Sequence, residues 1–496
     1  MREQREWRAA LTFATDKNIA TMRRLSICLL CLLSIVVARG QQLTTVDIAR
    51  RLQTHEGWGV SLCWWANVCG HWTDGAKLDT MLTWLCSPDH LNYSIFRYNI
   101  GGGDDPDWTH CEPHHNGAQG GKGLRAEMPG FKTSADADYD WTADSAQTRV
   151  LLRLKQLRAD ARVEAFSNSA PYYMTVSGCV GGAEPATADN VAPGQYEAFA
   201  TYLLDVCKEY KQRYGIEFFT LEPFNEPETD YWYRNGSQEG CHFSPESQIA
   251  FLKVLGPMLK QSGLRTMISA SDETNVGQGL RTLEAYAADG EVLDYVGQWN
   301  VHTYGGNNRE RAELRRLADS LGLRLWQSET GSGGHGLEGN LRMAQRLIDD
   351  ERYLRPLAWM DWQYVEEHGD QWCLLRSDWQ KGVEKFERLK NYYVRYQFTH
   401  FIGRGYTFVE TDCEQMLCAI APNGRELVVV VLNAAAEPAE HVIELASFAE
   451  GGDMEVEAWR TSESENTEKT GDFAFSGSEL SATLPPMSLT TFRLRR

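Results

Sequence analysis

Two short segments place carboxylates where a carboxylate can do chemistry. TLEPFNEPE, Thr220–Glu228, runs from an apolar stretch into a Pro-flanked loop that holds Glu226, and RLWQSETG, Arg324–Gly331, ends in Glu329. If both begin as parallel strands of one barrel, their C-terminal ends open on the same face, and Glu226 and Glu329 face each other across its mouth. Such a pair is what glycosidic bond hydrolysis needs: one carboxyl protonated to donate to the leaving oxygen, the other ionised to attack the sugar carbon. WNVHTYGG, Trp299–Gly306, adds His302 and Tyr304 at another strand end, and WMDWQY, Trp359–Tyr364, adds Trp362. Rings of this kind present flat apolar surfaces with a polar handle, suited to sugar faces. Glu222, Glu228 and Glu273 lie close by in sequence. Glu222 is the easiest to mistake for a catalytic group because it shares a strand with Glu226.

The elements that must position these residues are legible as alternating short apolar runs and helical stripes from about residue 56 to 385. Strands are expected at Gly59–Cys63, Ser94–Ile100, Arg162–Phe166, Phe218–Glu222, Thr266–Ser269, Tyr295–Val301, Leu323–Ser328 and Leu357–Gln363. Between them, Val150, Leu151, Leu154 and Leu157 form one stripe and Phe199, Leu203, Val206 and Tyr210 another, each at helical spacing. Ser244-Pro245 opens a helix with a capping residue and Pro at its first position. Eight strands with intervening helices predict an α/β fold, a (β/α)8 TIM barrel. A doubly wound sheet is the alternative, but no GxGxxG or P-loop supports it, and the Gly-rich segment Asn99–Trp108 carries Asp104 and Asp105 where a phosphate site wants positive charge. After about residue 395, six short strands without helices predict an appended β-sandwich. The division expected is 41–55 as an N-terminal strand joining the sandwich, 56–390 as the barrel and 391–496 as the sandwich.

Residues 1–40 are expected to be an upstream extension and a secretory signal peptide, with the true start at Met22. Two Arg precede the apolar run Leu25–Ala38, which is too short to span a bilayer. Export is therefore expected, to the periplasm, cell surface or medium, without membrane insertion. The formal charge of the 496-residue chain is -19, and it deepens by four without residues 1–40, which hold seven basic and three acidic residues. So acidic a chain is ill suited to nucleic acid or an anionic membrane. Of its 16 Trp, fourteen lie between Trp58 and Trp379, which points to a ligand handled by the barrel. Ten Cys follow residue 40, and 63/69 and 413/418 are close enough in sequence to be disulfide candidates. His110, Cys111, Glu112, His114 and His115 cluster, but match no standard metal spacing. They are read as a substrate-rim loop, and no metal or cofactor is expected.

From about residue 42 to 496 the chain resembles glycoside hydrolase family 30, whose members are retaining hydrolases with a barrel and a side β-sandwich. Within that family Gly57–Gly70, GWGVSLCWWANVCG, looks most like the endo-β-1,6-galactanases. The resemblance implies that Glu226 of Asn225-Glu226-Pro227 is the acid/base and Glu329 the nucleophile. It implies that Arg97 lies beside the nucleophile, that Asn225 bonds the sugar 2-hydroxyl and that Tyr304 sits near Glu329. It also implies that a strand at Thr44–Leu52 joins the sandwich. Trp64, Trp65, Asp104, Asp105 and Tyr172 join Asn225, Arg97, His302, Tyr304 and Trp362 as expected substrate-binding residues. Thr303 stands where many relatives have an aromatic, which bears on subsite detail. The chemistry implied is double displacement, with Glu329 ionised and Glu226 holding a proton, and the two carboxyl groups about 5–5.5 Å apart. The expected substrate is β-1,6-linked galactan, in arabinogalactan side chains, cleaved internally by a monomer. The alternative is another β-glycosidase of the family, acting on β-1,6-glucan, xylan, glucuronoxylan or short β-linked oligosaccharides.

Overall fold

The computed structural model describes residues 42–103, 105, 128–234, 236, 238–367, 369–379, 382–449 and 454–496. The expected signal peptide, Asp104 and the His110–His115 cluster lie outside the described residues. Among the described residues, no helix is long and apolar enough to cross a membrane.

Strand β1 spans Gln42–Thr54, and the next eight strands close a barrel in sequence order: β2 (Gly57–Ser61), β3 (Ile95–Asn99), β4 (Arg162–Phe166), β5 (Thr220–Glu222), β6 (Met267–Glu273), β7 (Val296–His302), β8 (Arg324–Glu329) and β9 (Ala358–Asp361). Every registered pair is parallel, β9 returning to β2. Strands of this kind are covered on both faces, and β2, β3, β5 and β9 are buried from end to end. The helices around them form where the stripes predict. Ser145–Leu157 buries Val150, Leu151 and Leu154, and Tyr196–Tyr214 buries Phe199, Leu203, Val206 and Tyr210 before Gly215 ends it in the left-handed region. Ser244 caps Pro245–Gln261 through the Ser247 amide, and Asn307 and Glu310 form a reciprocal capping box on Asn308–Ser320.

A three-stranded sheet, β10 (Val365–Glu366), β11 (Leu375–Ser377) and β12 (Phe386–Arg388), follows β9. The C-terminal part contributes β13 (Thr407–Thr411), β14 (Met416–Ile420), β15 (Glu426–Asn433), β16 (Ala439–Glu444), β17 (Glu455–Thr461), β18 (Asn466–Thr470), β19 (Phe473–Ser476), β20 (Glu479–Leu484) and β21 (Ser488–Arg495). With β1 between β13 and β16 they form one ten-stranded sheet, an open, curled form of the sandwich, which encloses its own apolar core of Val46, Ile420, Val429, Ile443, Leu480 and Phe492 among others. The helix Lys390–Thr399 joins the two parts. Arg395 pairs with Asp361 of β9, both buried, while Gln397 bonds Thr461 and Thr491 on the sheet.

The tryptophans divide differently from the expectation. Trp58, Trp64, Trp65, Trp299, Trp326 and Trp359 are fully buried and serve packing. Four of them also tie segments together by the indole N–H, to Ile402 O, Ser61 O, the Glu56 carboxylate and the Asp350 carboxylate respectively. The suggested disulfides are not formed: Cys63, Cys69, Cys413 and Cys418 are buried thiols, and among the described residues Cys179 is disulfide-bonded. Close sequence spacing does not orient two Cβ atoms. Cys63 follows a barrel strand and Cys69 ends a short helix, and burial rather than bonding accounts for all four.

Gly59 marks how tightly the barrel closes. A Cβ there would lie 2.7 Å from Ile95 O and from Met360 Cγ. Gly59→Ala should destabilise the fold by about 1–3 kcal/mol in urea unfolding. An unchanged midpoint would contradict this approach of β2 to β3 and β9.

Candidate active site

The strand register sets the site. Arg97 on β3 pairs with Glu164 on β4, which pairs with Thr220 on β5, and His302 on β7 pairs with Glu329 on β8. Two irregularities aim the remaining side chains. The β6–β7 register shifts between Ser271 and Glu273, and the β7–β8 register shifts after Val301, so Asp272 and Ser328 are extra residues. A bulge of this kind re-aims the side chains around it. Asp272 accordingly turns in to meet Arg97, His302 and the Ser328 hydroxyl.

Arg97 is fully buried and donates to three carboxylates: Nε to Glu164 at 3.0 Å, one terminal nitrogen to Glu329 Oε2 at 2.8 Å and the other to Asp272. Its guanidinium lies 4.1 Å over the Phe166 ring. Burial works against its charge, but Asp272, Glu329, Glu164 and Glu222 together outweigh burial and raise its pKa. The Tyr304 hydroxyl donates to the other oxygen of Glu329 at 2.8 Å. His302 Nδ1 lies 3.0 Å from Glu226 Oε1 and 3.6 Å from Glu329 Oε1, and its Nε2 lies 3.1 Å from Asp272. Burial opposes a charged imidazole, yet Glu329 and Asp272, aided by hydrogen bonds to Asp272 and Glu226, hold His302 up to about 10. Burial also pushes Glu329 upward, against the pull of His302 and Arg97. Glu222, buried beneath the cluster beside Asp272 and Glu164, is raised well above the ordinary carboxylate range. Burial acts on Asp272 in the same sense, but Arg97, His302 and Ser328 bring it down to about 2.

Glu226 follows β5 with a backbone φ of 48°, and Asp272 has φ 63°. Both lie in the left-handed region that non-glycine residues avoid, and the Glu226 amide donates to Asp272 O at 2.9 Å. Strain of this kind, about 1–3 kcal/mol per residue, persists only where the surroundings hold it. One oxygen of Glu226, one of Glu329 and a nitrogen of His302 lie within 4.8 Å of one another. That convergence also suits a metal ion, but a ligating imidazole must be neutral. His302 faces carboxylates through both nitrogens, and they favour its charged form, which places positive charge between the carboxyls.

The other expected residues divide. Asn225 is buried beside Glu226, with Oδ1 unbonded. Trp362 comes to the end of β8 through its amide bond to Thr330 O and meets Trp64 edge to face at 5.1 Å. Trp65 is a correction: it turns inward, packs edge-on against Tyr364 and bonds Ser61 O, so it belongs to the core. Tyr172 directs its hydroxyl to Thr133 O, and Asp105 is half-buried. Three groups escaped the sequence reading: Asp272, Tyr231 and Trp372. The Tyr231 hydroxyl lies 2.6 Å from Glu226 Oε2, and the half-buried Trp372 ring sits 6.0 Å from that of Tyr304. Trp372 closes over Gly331, where a Cβ would lie 2.6 Å from it. Only the Trp surplus hinted at Trp372, and nothing in the spacing hinted at the other two.

A carboxyl pair at the C-terminal mouth of a (β/α)8 barrel, with a side β-domain, defines the architecture of a barrel glycosidase. Residues 41–300 match the model of O-glycosyl hydrolase family 30. Among curated relatives, an endo-beta-1,6-galactanase of Hypocrea rufa is 28% identical over 405 residues, 80% of this chain and 82% of the relative. An exo-beta-1,6-galactobiohydrolase of Bifidobacterium longum subsp. longum is 25% identical over 407 residues, 63% of this chain but 26% of that longer protein. In fold, a conserved exported protein from Bacteroides fragilis superposes with a TM-score of 0.77 at 16% identity, covering 91% of this chain and 100% of that one. The chain belongs to O-glycosyl hydrolase family 30.

The imidazolium has a measurable consequence. A His raised from about 6.5 to about 10 on folding contributes stability that is fully present below pH 6.5 and lost as pH rises through 10. His302→Asn should therefore be destabilised by about 3–5 kcal/mol at pH 6 and lose that decline toward pH 10 in denaturant unfolding. Parallel curves for the two proteins would contradict a charged His302.

Proposed function

We propose that this chain is a retaining endo-β-1,6-galactanase, acting on the β-1,6-linked side chains of arabinogalactan. One carboxyl oxygen of Glu226 lies within 4.8 Å of one of Glu329, and that approach carries the reading. Retaining glycosidases hold their carboxyls about 5–5.5 Å apart, whereas inverting ones need about 6.5–9.5 Å to admit a water between them. Glu329 attacks the anomeric carbon as the bond to the leaving oxygen breaks, and Glu226 gives that oxygen its proton. Water then attacks the same carbon, Glu226 takes its proton, and Glu329 leaves as a carboxylate. Arg97, His302 and Tyr304 hold Glu329 in place, and the two cations favour its ionised form. Asn225 faces the 2-hydroxyl, while Trp362, backed by the buried Trp64, and Trp372 offer ring faces to the sugar. Asp104, Asp105 and Tyr172 remain proposed contacts farther along the polymer.

The similarity to the Hypocrea rufa endo-beta-1,6-galactanase along four-fifths of both chains supports galactan as the substrate and internal cleavage as the mode. Residues 56–390 are proposed as the catalytic barrel and 391–496, with the strand at 41–55, as its side domain. Export through a signal peptide starting at Met22 is proposed on the pattern of residues 22–40.

Product analysis on β-1,6-galactan, β-1,6-glucan, glucuronoxylan and aryl glycosides tests the substrate. Galactan should yield oligosaccharides whose new ends keep the β configuration, and Glu226→Gln should lower that rate by about 10²–10⁴-fold. Activity should also fall on the acid side with a midpoint above the ordinary Glu value of 4.5, as burial raises Glu329. Cleavage of glucan or xylan but not galactan would overturn the substrate, and a fully active Glu226→Gln the mechanism.

A further inference from the structure

Both oxygens of Glu226 are occupied by donors. Oε1 faces His302, a fully buried ring that also approaches Glu329, so this oxygen points into the barrel. Oε2 faces the other way and accepts the Tyr231 hydroxyl at 2.6 Å. Tyr231 is 38% exposed, so Oε2 is the oxygen that faces the approach from solvent. An acid that must protonate a leaving group, and then take a proton from water, has to present a free oxygen for each step. Oε1 cannot serve without displacing His302, which also approaches Glu329. Oε2 can serve if one hydroxyl leaves it.

The loop is built to let that happen. The Trp232 indole N–H donates to Glu226 O at 2.9 Å, so the chain folds back and fixes Trp232, with Tyr231 packed edge to face against it at 4.7 Å. The Tyr231 hydroxyl has a second partner, Thr274 Oγ1, at 2.7 Å. A phenol has one proton to donate and can also accept. Tyr231 can therefore turn from Glu226 to Thr274 without losing all its hydrogen bonding, and the fixed Trp232 keeps it at hand.

We infer that Tyr231 is a positioning residue that holds the outward oxygen of Glu226 in the free enzyme and yields that place to the leaving-group oxygen of the bound sugar. The inference rests on Glu226 being the acid/base. Tyr231 stands where the leaving sugar's oxygen, and after it the attacking water, must come, competes with them for Glu226, and returns when the product has gone. In the glycosylation step its effect is confined to substrates whose leaving group needs the proton.

The test compares Tyr231→Phe with the wild type on two substrates, a β-1,6-galacto-oligosaccharide and a dinitrophenyl β-1,6-galactobioside, whose phenolate departs without a proton. With the competing hydroxyl removed, KM for the oligosaccharide should fall by about 3–10-fold, the equivalent of one ordinary hydrogen bond. The glycosylation kcat/KM for the dinitrophenyl substrate and the Tm should stay unchanged. Thr274→Val, which removes the alternative partner, should raise KM for the oligosaccharide. A KM that rises or stays the same in Tyr231→Phe, or an equal change on both substrates, would overturn the inference. Glu226→Gln on the same pair separates the two claims: full activity on the oligosaccharide defeats the acid/base assignment itself, whereas its loss there leaves only the role of Tyr231 at issue.

Discussion

One buried guanidinium sets the terms for everything around it. Arg97 lies in the barrel with no access to water and reaches Glu164, Asp272 and Glu329 at once. A lone buried cation would be very costly, and so would each of these carboxylates without it. Their mutual pairing fixes the position of Glu329 to within a hydrogen bond. The pairing also leaves an excess of acid. Among the described residues, Glu164, Glu222, Asp272 and Glu329 gather around Arg97 and His302, so buried acid outnumbers buried base. Burial and that excess of acid act together on Glu222, whose pKa is raised well above the ordinary carboxylate range. Glu222, the natural decoy on β5, is thus a fully buried carboxyl whose surroundings favour its protonated form.

Geometry and strain follow from that cluster. Asp272 reaches Arg97 and His302 because β6 carries an extra residue, and its left-handed backbone is held by those pairs and by the Glu226 amide. Glu226 takes up its own left-handed conformation at the other end of that bond. The acid/base candidate and the support of the nucleophile candidate therefore share one strained hinge between β5 and β6. The side sheet acts at a distance: Arg395 of the joining helix pairs with Asp361 of β9, the last barrel strand, which itself pairs with β2.

Much of this was legible in the sequence, and its misses have physical causes. Parallel barrel strands are apolar runs, so β4 was expected at Arg162–Phe166 and is found there. The Asn-Glu-Pro and Ser-Glu-Thr strand ends marked Glu226 and Glu329 because strand ends in a barrel share a face. Asp272 was not visible because a bulge breaks the alternation from which side-chain direction is read. Tyr231 follows Glu226 by five residues in a loop with no period, and only the fold-back onto Trp232 brings it home. Trp64 and Trp65 misled because the sequence does not show which Trp at a strand end is covered, and both are fully buried. The strand Asn466–Thr470 escaped because its residues are polar and largely exposed, leaving no apolar pattern to find.

The account turns on Glu329 as the group that bonds to the sugar while Arg97 and Tyr304 hold it. A 2-deoxy-2-fluoro galactoside with a good leaving group slows both displacement steps and lets the covalent intermediate accumulate, because the fluorine destabilises an oxocarbenium-like transition state. After brief incubation, proteolysis and mass spectrometry should place the added sugar on the peptide spanning Arg324–Gly331, at Glu329. A label on Glu226 or Glu222, or turnover to the inverted anomer with no label, would contradict it.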